Sequence, residues 1–261
     1  SIYLWKKNFL LAVLSGFLFF FNISPILDIG ESSHATEYNG TPLKVYSANV
    51  HLTNNDLSKL NQELQELDPD ILLLLEVTPV HFEQLRSVIK TYPYHKEIKS
   101  FGEFEIGFVF LSKFPILNNR VTKLSERCNF VLEAMLDINQ KPVMFYGIHA
   151  QRPRLGNYNE RKDQFLRLAR QIKEQSLPVI VAGDFNTTPY SPIFRELVKI
   201  TGLKDSREGL GWQPSWPTYF PPLWIPIDHV LVTPDIQVRK RRTGSYIGSD
   251  HYPVIAELSI G

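Results

Sequence analysis

Polar side chains repeatedly follow short apolar segments in this chain, and this pattern constrains the fold more than any other feature. The clearest case is the apolar segment 179–181, which is followed by Gly183, Asp184 and Asn186. A second polar turn, at residues 249–251, precedes another apolar segment near the C-terminus. Carboxylates, amides and imidazoles at strand ends are typical components of sites that cleave phosphoesters with a metal ion. These segments therefore predict strands that deliver polar groups to one site.

Strand-like and helix-like segments are interspersed from residue 43 onward, and the strands are the more numerous. The continuous apolar run 71–75 is typical of a strand buried on both faces. Leucines at helical spacing predict a helix over 57–67, and Ser191 before Pro192 predicts the start of another. The other predicted strands are 43–50, 106–111, 130–138, 142–148, 179–181, 226–232 and 253–258, and the other predicted helices are 80–89 and 160–175. This order favours sheets packed face to face with helices outside, rather than one doubly wound parallel sheet.

The N-terminal segment is apolar enough to interact with a membrane. Residues 9–27 are nearly all apolar and follow two lysines, and a helix of this length spans roughly 28 Å, about the thickness of a bilayer core. Three interpretations stay open: a retained anchor over residues 1–27, a secretory signal cleaved near residues 33–35, and a buried helix. The first two place the catalytic part outside the cytoplasm, either anchored to the membrane or secreted. The polar, turn-rich residues 28–42 are interpreted as a linker, and 43–261 as the catalytic domain.

Charge and cysteine content narrow the possible functions. The chain has 28 basic and 27 acidic residues and a net charge of +1, so binding of nucleic acid would need a local basic patch. The run Arg239–Arg242 is either such a patch, for a polyanion or an anionic membrane, or a solvated strand end. The single cysteine, Cys128, excludes an intrachain disulfide, and its neighbours form no motif that activates a thiol.

Phosphoester cleavage requires oxygen ligands for a hard cation, a base for water and donors that hold the phosphate. Glu76 follows a run of four leucines, and Asn49 and His149 each follow a predicted strand. Asp228 lies in an apolar stretch and needs a partner if it is buried. A histidine is the natural partner, because a carboxylate that accepts its ring N–H fixes the tautomer, and this pairs Asp228 with His251.

Taken together, these segments resemble the endonuclease/exonuclease/phosphatase superfamily, which includes deoxyribonuclease I, abasic-site endonucleases, neutral sphingomyelinases and inositol polyphosphate 5-phosphatases. The segments that carry the resemblance, in chain order, are Ser47-Ala48-Asn49, Leu75-Glu76, Gly147-Ile148-His149, Gly183-Asp184-Phe185-Asn186, Ile227-Asp228-His229-Val230 and Ser249-Asp250-His251-Tyr252-Pro253. The resemblance covers about residues 43–260. It implies a four-layer α/β sandwich, with two mixed sheets packed face to face, helices on the outside and the site at one rim.

The resemblance also implies a metal centre. Glu76 is the principal ligand, Asn49 beside it orients metal-bound water or phosphate, and Asp250 contributes to the metal region. The implied cofactor is Mg²⁺, with Mn²⁺ as an alternative. Whether one or two ions bind is left open.

The other implied roles concern the phosphate and the attacking water. His149 matches a histidine that donates to the phosphate, and Asn186, also counted among the catalytic residues, holds a phosphate oxygen. Asp184 orients or deprotonates the attacking water. His251, oriented by Asp228, acts as a base or as a stabiliser of the transition state, so the base is either Asp184 or His251.

Three further residues receive weaker assignments from the same resemblance. Thr218 lies in a segment that often approaches substrate, with a plain turn as the alternative. Arg161 resembles a residue of a helix near the site and is assigned to substrate binding. His229 stands where many relatives carry an aromatic residue, which favours a packing role.

The predicted substrate is membrane-associated or extracytoplasmic, of the phospholipid or polyprenyl phosphate type. The apolar N-terminus and the aromatic, proline-rich segment 212–224 favour it, because this segment would grip an apolar part of the substrate or enter the membrane interface. The alternative is that these aromatic residues only pack under a long loop. The chain resembles bacterial membrane-linked members of the superfamily. The alternatives are a secreted or surface nuclease acting on DNA or RNA, and a non-catalytic binding domain, against which Glu76 and His251 argue. The catalytic domain is expected to be monomeric.

Overall fold

The computed structural model describes residues 40–101, 106–123 and 129–261, together with Phe9, Val13, Ser15 and Gly16. Most of the predicted anchor or signal, most of the linker and Cys128 lie outside the described residues, so their interpretations stay predictions. Among the residues that are described, no helix has both the length and the apolar character needed to cross a bilayer. The strands and helices below belong to one compact unit, Ala35–Arg207 with Gln213–Gly261.

The described residues form two six-stranded sheets and four α-helices. The strands are β1 (Thr41–Asn49), β2 (Ile71–Val77), β3 (Tyr94–Phe101), β4 (Ile106–Ser112), β5 (Ile116–Lys123), β6 (Phe130–Ile138), β7 (Lys141–His149), β8 (Val179–Asp184), β9 (Lys204–Asp205), β10 (Asp228–Val232), β11 (Ile236–Thr243) and β12 (Val254–Ile260). The helices are α1 (Ser58–Leu67), α2 (Pro79–Ile89), α3 (Tyr158–Lys173) and α4 (Pro192–Thr201), and Pro221–Leu223 forms a short 3₁₀ turn.

Both sheets are mixed. The first has the order β11-β12-β1-β2-β4-β3, and the second has the order β5-β6-β7-β8-β10-β9. Within them β1 pairs with β2 in parallel and β7 with β8 in parallel, while the other pairings are antiparallel. The predicted two-sheet α/β sandwich with outer helices is therefore confirmed.

Strand β2 shows how the sequence builds the layers. Alternate residues of a strand point to opposite faces, and every residue of β2 is buried. Leu73 and Leu75 join the apolar core between the two sheets, whereas Leu72 and Leu74 join the cluster that α1 and α2 cover. A third apolar cluster lies under α3 and α4 on the far side of the second sheet. These three interiors separate the four layers of helix, sheet, sheet and helix.

Aromatic rings join the two sheets across the central core. Phe108 of β4 stacks on Phe130 of β6, with ring centroids 4.2 Å apart. Phe110 of β4 lies against Phe145 of β7, with centroids 4.8 Å apart. Pairs of this kind contribute about 0.5–1.5 kcal/mol beyond the area they bury. The contacts fix the separation of the sheets and with it the positions of the strand ends at the rim.

Candidate active site

The site lies where the ends of strands from both sheets meet. In the first sheet, Asn49 of β1 stands opposite Leu75 of β2, one residue before Glu76. In the second sheet, Asp184 of β8 stands opposite both His149 of β7 and Asp228 of β10. Pairing register alone therefore brings polar residues that are far apart in sequence to one rim.

Local backbone geometry directs these side chains into the rim. The register of β2 against β4 shifts between Leu75 and Val77, which is a bulge at Glu76, and Glu76 itself has a φ of 57°. Asn186 has a φ of 49°. Positive φ is uncommon for residues other than glycine and costs about 1–3 kcal/mol, which makes such clusters informative about function. A Cβ on Gly183 would lie 2.0 Å from the Ile148 carbonyl oxygen, so β8 approaches β7 this closely only with glycine there.

Asn49 joins the carboxylates that come from the two sheets. Its side-chain amide donates to Glu76 Oε1 at 3.1 Å and to Asp184 Oδ2 at 3.2 Å. Its carbonyl oxygen Oδ1 accepts from the His51 main-chain N–H at 3.0 Å. Because Asn49 is fully buried, these hydrogen bonds fix its orientation.

Glu76 is a buried carboxylate that stays ionised. Its side chain is 2% exposed, and burial alone would raise its pKa. His149, the Arg152 guanidinium and the Asn49 amide outweigh burial and lower the pKa of Glu76 to about 2. Arg152 Nη2 donates to Glu76 Oε1 at 2.8 Å, and the Leu52 N–H donates to Oε2 at 3.3 Å. Glu76 is therefore negatively charged across the physiological pH range.

Asp184 is the most enclosed carboxylate of the site. Asn186 donates to it twice, from its main-chain N–H at 2.7 Å and from its side-chain amide at 3.2 Å. The same amide donates to the Ala150 carbonyl at 3.0 Å. Burial and the nearby Asp228 carboxylate raise the pKa of Asp184. A carboxylate with a raised pKa accepts a proton more readily, which suits a group that activates water.

His251 and Asp228 form the predicted pair. His251 Nδ1 lies 2.8 Å from Asp228 Oδ2, and both side chains are almost fully buried. Burial alone would lower the pKa of His251, but Asp228, Asp184 and Asp250 outweigh it and raise the pKa to about 10. The other ring nitrogen, Nε2, lies 3.9 Å from Asp184 Oδ2 and 4.0 Å from Asp250 Oδ1. His251 thus presents a protonated nitrogen to the centre of the site.

His149 lies on the opposite side of the same carboxylates. Its Nε2 is 3.6 Å from Glu76 Oε1 and 3.9 Å from Asp184 Oδ2. The edge of the ring meets Phe130, with centroids 6.3 Å apart. Two imidazoles therefore flank one group of acids, an arrangement that can hold and polarise a phosphate.

Asp250 borders the open side of the site. Trp216 Nε1 donates to its Oδ2 at 3.1 Å, while its Oδ1 is buried and accepts no hydrogen bond from the described part of the chain. Thr218 is held beside it: the Thr218 N–H donates to the Asp250 carbonyl at 2.9 Å, and its hydroxyl donates to the Ser249 carbonyl at 2.8 Å. A cleft of about 580 Å³ opens here, with Tyr219 and Thr218 in its lining.

The donors of the site fit a hard divalent cation. Glu76 is ionised, and the buried Asp250 Oδ1 has a lone pair with no donor. A second group, Asp184, Asp228 and His251, also has ligand atoms within 4.8 Å of one another. In this group His251 Nδ1 is already paired with Asp228, so Nε2 is the ring nitrogen that faces the other carboxylates. Both Glu76 and this group therefore offer carboxylate oxygens that a divalent cation could use.

Some predicted residues serve other parts of the structure. Arg161, assigned to substrate binding, donates to the main-chain carbonyls of Gln151 at 2.9 Å and Asn186 at 2.8 Å and so anchors the loop behind Asp184. His229 is fully buried, lies 3.5 Å from Asp205 and packs on Phe185. His229 therefore has the packing role that the sequence favours.

The basic run at 239–242 lies in β11, at the edge of the first sheet. Arg241 is buried and donates to the Asp228 carbonyl at 3.2 Å and to Gln213 Oε1. Burial lowers the pKa of Arg241 to about 10. Because this guanidinium faces the interior, the four residues do not form one continuous basic surface.

Two residues of the site escaped the sequence reasoning. Arg152 binds Glu76, and His51 Nε2 lies 3.9 Å from Asp250 Oδ1. Arg152 follows His149 by three residues and His51 follows Asn49 by two. The short sequence distance to a polar residue at a strand end could therefore have identified Arg152 and His51.

Comparisons with known proteins identify the family and the fold. The sequence model of the endonuclease/exonuclease/phosphatase family matches residues 46–251, whereas no curated protein sequence matches the chain. Similar solved structures include D. rerio TDP2 complexed with single strand DNA product, at TM-score 0.71 and 18% identity over 84% of this chain and 99% of that chain. The endonuclease/exonuclease/phosphatase from Bacteroides vulgatus has TM-score 0.68 and 19% identity over 85% and 100%. The human Nocturnin catalytic domain with bound sulfate has TM-score 0.70 and 17% identity over 84% and 95%. At these identities the likeness concerns the fold.

Proposed function

The chain belongs to the endonuclease/exonuclease/phosphatase family, and on that premise we propose that it hydrolyses phosphate esters with the help of a divalent metal ion. The observation that carries the proposal is one connected group of buried side chains. Asn49 bridges Glu76 to Asp184, and His251, held by Asp228, faces Asp184. Buried acids and a charged imidazole are costly unless they are paired or used, and Asp250, which lies 4.0 Å from His251 Nε2, lines the neighbouring cleft.

We assign the metal to Glu76, Asn49 and Asp250. Glu76 and Asp250 offer carboxylate oxygens, which Mg²⁺ prefers and Mn²⁺ accepts. Asn49, whose amide nitrogen donates to Glu76 Oε1, orients the ligand carboxylate. A bound Mg²⁺ would polarise the phosphoryl group and offset negative charge on the leaving oxygen. The remaining side chains of the site bind and orient the substrate or move protons.

Asp184 is the better candidate for the base and His251 for the donor. The Nδ1–H of His251 is held by Asp228 at 2.8 Å, and the carboxylates 3.9–4.0 Å from Nε2 favour a proton there as well. A nitrogen that carries a proton stabilises charge on the phosphate in the transition state and does not take a proton from water. Asp184, with its raised pKa, is then the group that orients and deprotonates the water.

His149 and Asn186 are the proposed phosphate donors. His149 Nε2 faces the carboxylates from the side opposite His251. The Asn186 amide already donates to Ala150 and to Asp184. To donate to a phosphate oxygen, the Asn186 amide must give up one of these hydrogen bonds. The longer of the two, to Asp184 at 3.2 Å, is the one that it gives up.

For the substrate we propose a phosphate ester that carries an apolar group, of the phospholipid or polyprenyl phosphate type. Tyr219, Phe220 and Leu223 are 73%, 46% and 57% exposed, and Thr218 beside them is bonded to Asp250. An apolar rim therefore adjoins the cleft. Among the described residues that line the cleft there is no lysine or arginine, whereas a polyanion requires basic contacts along its backbone. The apolar segment 9–27 favours the same choice, with the domain anchored at or exported across a membrane.

A nuclease is the second candidate function. The similar D. rerio TDP2 structure holds a single strand DNA product, and the proposed chemistry acts on any accessible phosphodiester. The exposed tyrosines of the cleft, Tyr219 and Tyr246, could stack on bases as readily as they cover an apolar chain.

A panel of substrates separates the two candidates. We expect the full chain with Mg²⁺ to hydrolyse sphingomyelin or polyprenyl pyrophosphate vesicles faster than plasmid DNA or inositol phosphates. Replacing Phe220 and Leu223 by serine should lower kcat/KM for the lipid by about tenfold, or about 1.4 kcal/mol, because rim side chains that are only partly covered by substrate contribute a fraction of the free energy of a fully buried side chain. The same variant should hydrolyse a soluble chromogenic ester at the wild-type rate. Cleavage of DNA alone would reject the lipid substrate.

A further inference from the structure

Arg152 donates a hydrogen bond to Glu76 Oε1 at 2.8 Å. It follows β7 in the loop that leads to α3, and its side chain is 49% exposed, against 2% for Glu76. Its guanidinium also lies close enough to Asp184 and Asp250 to be stabilised by their charges. A partly exposed arginine thus reaches into the carboxylate centre from the solvent side.

Arg152 and a divalent cation would compete for the same oxygen. The guanidinium lies 2.8 Å from Glu76 Oε1, which also accepts from Asn49 at 3.1 Å. Two cations at one carboxylate oxygen repel each other strongly at this range. Arg152 must therefore give up Glu76 when a metal ion binds there.

The loop allows Arg152 to move its side chain without moving its backbone. Asn157 Nδ2 donates to the Arg152 carbonyl at 3.0 Å, and Asn157 Oδ1 accepts from the Arg154 N–H at 2.9 Å. These two bonds hold the main chain on both sides of residue 153. The flexible, half-exposed side chain is then the part that can change partner.

We propose that Arg152 is a substrate-binding residue that exchanges Glu76 for the substrate phosphate when the metal site fills. A guanidinium fork matches the geometry of a phosphate group as well as that of a carboxylate. In the free protein Arg152 neutralises Glu76. In the loaded site it adds a guanidinium contact to the phosphate, whereas the described lining of the cleft contains no lysine or arginine. The inference rests on the proposed metal-dependent function.

Calorimetric titration of the full chain with Mn²⁺, and then with inorganic phosphate, tests this exchange. Arg152→Met should bind Mn²⁺ about tenfold more tightly than the wild type, because a competing charge near 4 Å is gone. The Mn²⁺-loaded variant should bind phosphate about tenfold more weakly, since it lacks the fork. Arg152→Lys retains the charge and should keep an Mn²⁺ affinity near the wild-type value. The two effects of Arg152→Met have opposite signs, which general damage to the site would not produce.

Arg154 is the matched control, because it lies in the same loop and is exposed. Arg154→Met should bind Mn²⁺ and phosphate as the wild type does. An Mn²⁺ affinity of Arg152→Met that is unchanged or weaker overturns the competition, and an unchanged phosphate affinity overturns the exchange. If Glu76→Gln loses Mn²⁺ while Arg152→Met changes nothing, only the role of Arg152 is wrong. If no protein binds Mn²⁺, the proposed metal-dependent function is wrong as well.

Discussion

Replacing His251 by glutamine is expected to lower kcat by about a hundredfold or more while KM changes little. The imidazole is almost fully buried, its Nδ1 is held by Asp228 at 2.8 Å, and its Nε2 faces Asp184 and Asp250. A neutral amide of similar size can still reach Asp228, but it offers no positive charge where the phosphate gains negative charge. Steady-state hydrolysis of a chromogenic phosphodiester by the full chain measures this effect.

A double-mutant cycle with Asp228→Asn sharpens the result. If Asp228 acts through His251, the second substitution should cost much less in the His251→Gln background than in the wild type. The matched control is His229→Gln, since His229 is equally buried and also lies beside an aspartate, Asp205 at 3.5 Å. It should lower the thermal stability and leave kcat near the wild-type value. Additive losses in the cycle would show that the Asp228–His251 pair does not act as a unit.

The second large effect is expected from Glu76→Gln, which should reduce the Mg²⁺-dependent rate by about a hundredfold and weaken Mn²⁺ binding. The change keeps the size of the side chain and its hydrogen bond to Leu52 but removes the charge that Asn49, Arg152 and His149 surround. Because its partners hold the pKa of Glu76 below its usual value, the ionised carboxylate stabilises the folded chain at neutral pH. We therefore expect Glu76→Gln to lower the melting temperature as well, and a thermal melt checks that the variant is folded at the assay temperature.

Glu63 provides a matched control for Glu76. It is also buried, but its carboxylate accepts from the Tyr46 hydroxyl at 2.7 Å and from the Ser245 N–H at 2.6 Å. Glu63→Gln should lower the free energy of unfolding by about 1–3 kcal/mol, because charged hydrogen bonds are weakened. Its Mn²⁺ affinity should not change. Loss of metal binding in both variants would mean that the measurement reports stability and not the site.

Buried strands could be predicted from the sequence, and edge strands could not. Every residue of β2 is apolar except Glu76, because that strand is covered on both faces. The strands that escaped prediction are β3, β5, β9 and β11, and each of them is an edge strand of its sheet. Edge strands carry polar residues, which are solvated at the open edge and disfavour pairing with a further strand. The basic run of β11 is therefore interpreted from sequence only as a basic patch or as a solvated strand end, and its pairing with β12 becomes visible in the structure.

The site itself could be predicted because its residues come at strand ends, in segments that a family shares. Asp228 and His251 were paired because a buried carboxylate needs a hydrogen-bond partner, and the structure places the two side chains in contact. The directions of the Arg152 and Arg161 side chains could not be predicted from the sequence. Both are arginines near the same loop, yet Arg161 turns inward to main-chain carbonyls and Arg152 turns to Glu76. Only the packing of α3 against the second sheet decides between these directions.

The most direct test of the central claim is the rate at which the full chain hydrolyses bis(p-nitrophenyl) phosphate before and after chelation with EDTA. We predict that EDTA abolishes hydrolysis, that Mg²⁺ or Mn²⁺ restores it, and that neither ion restores it in Glu76→Gln. Hydrolysis that continues in EDTA, and that persists in Glu76→Gln and His251→Gln, would contradict a metal-dependent phosphoesterase site at this rim.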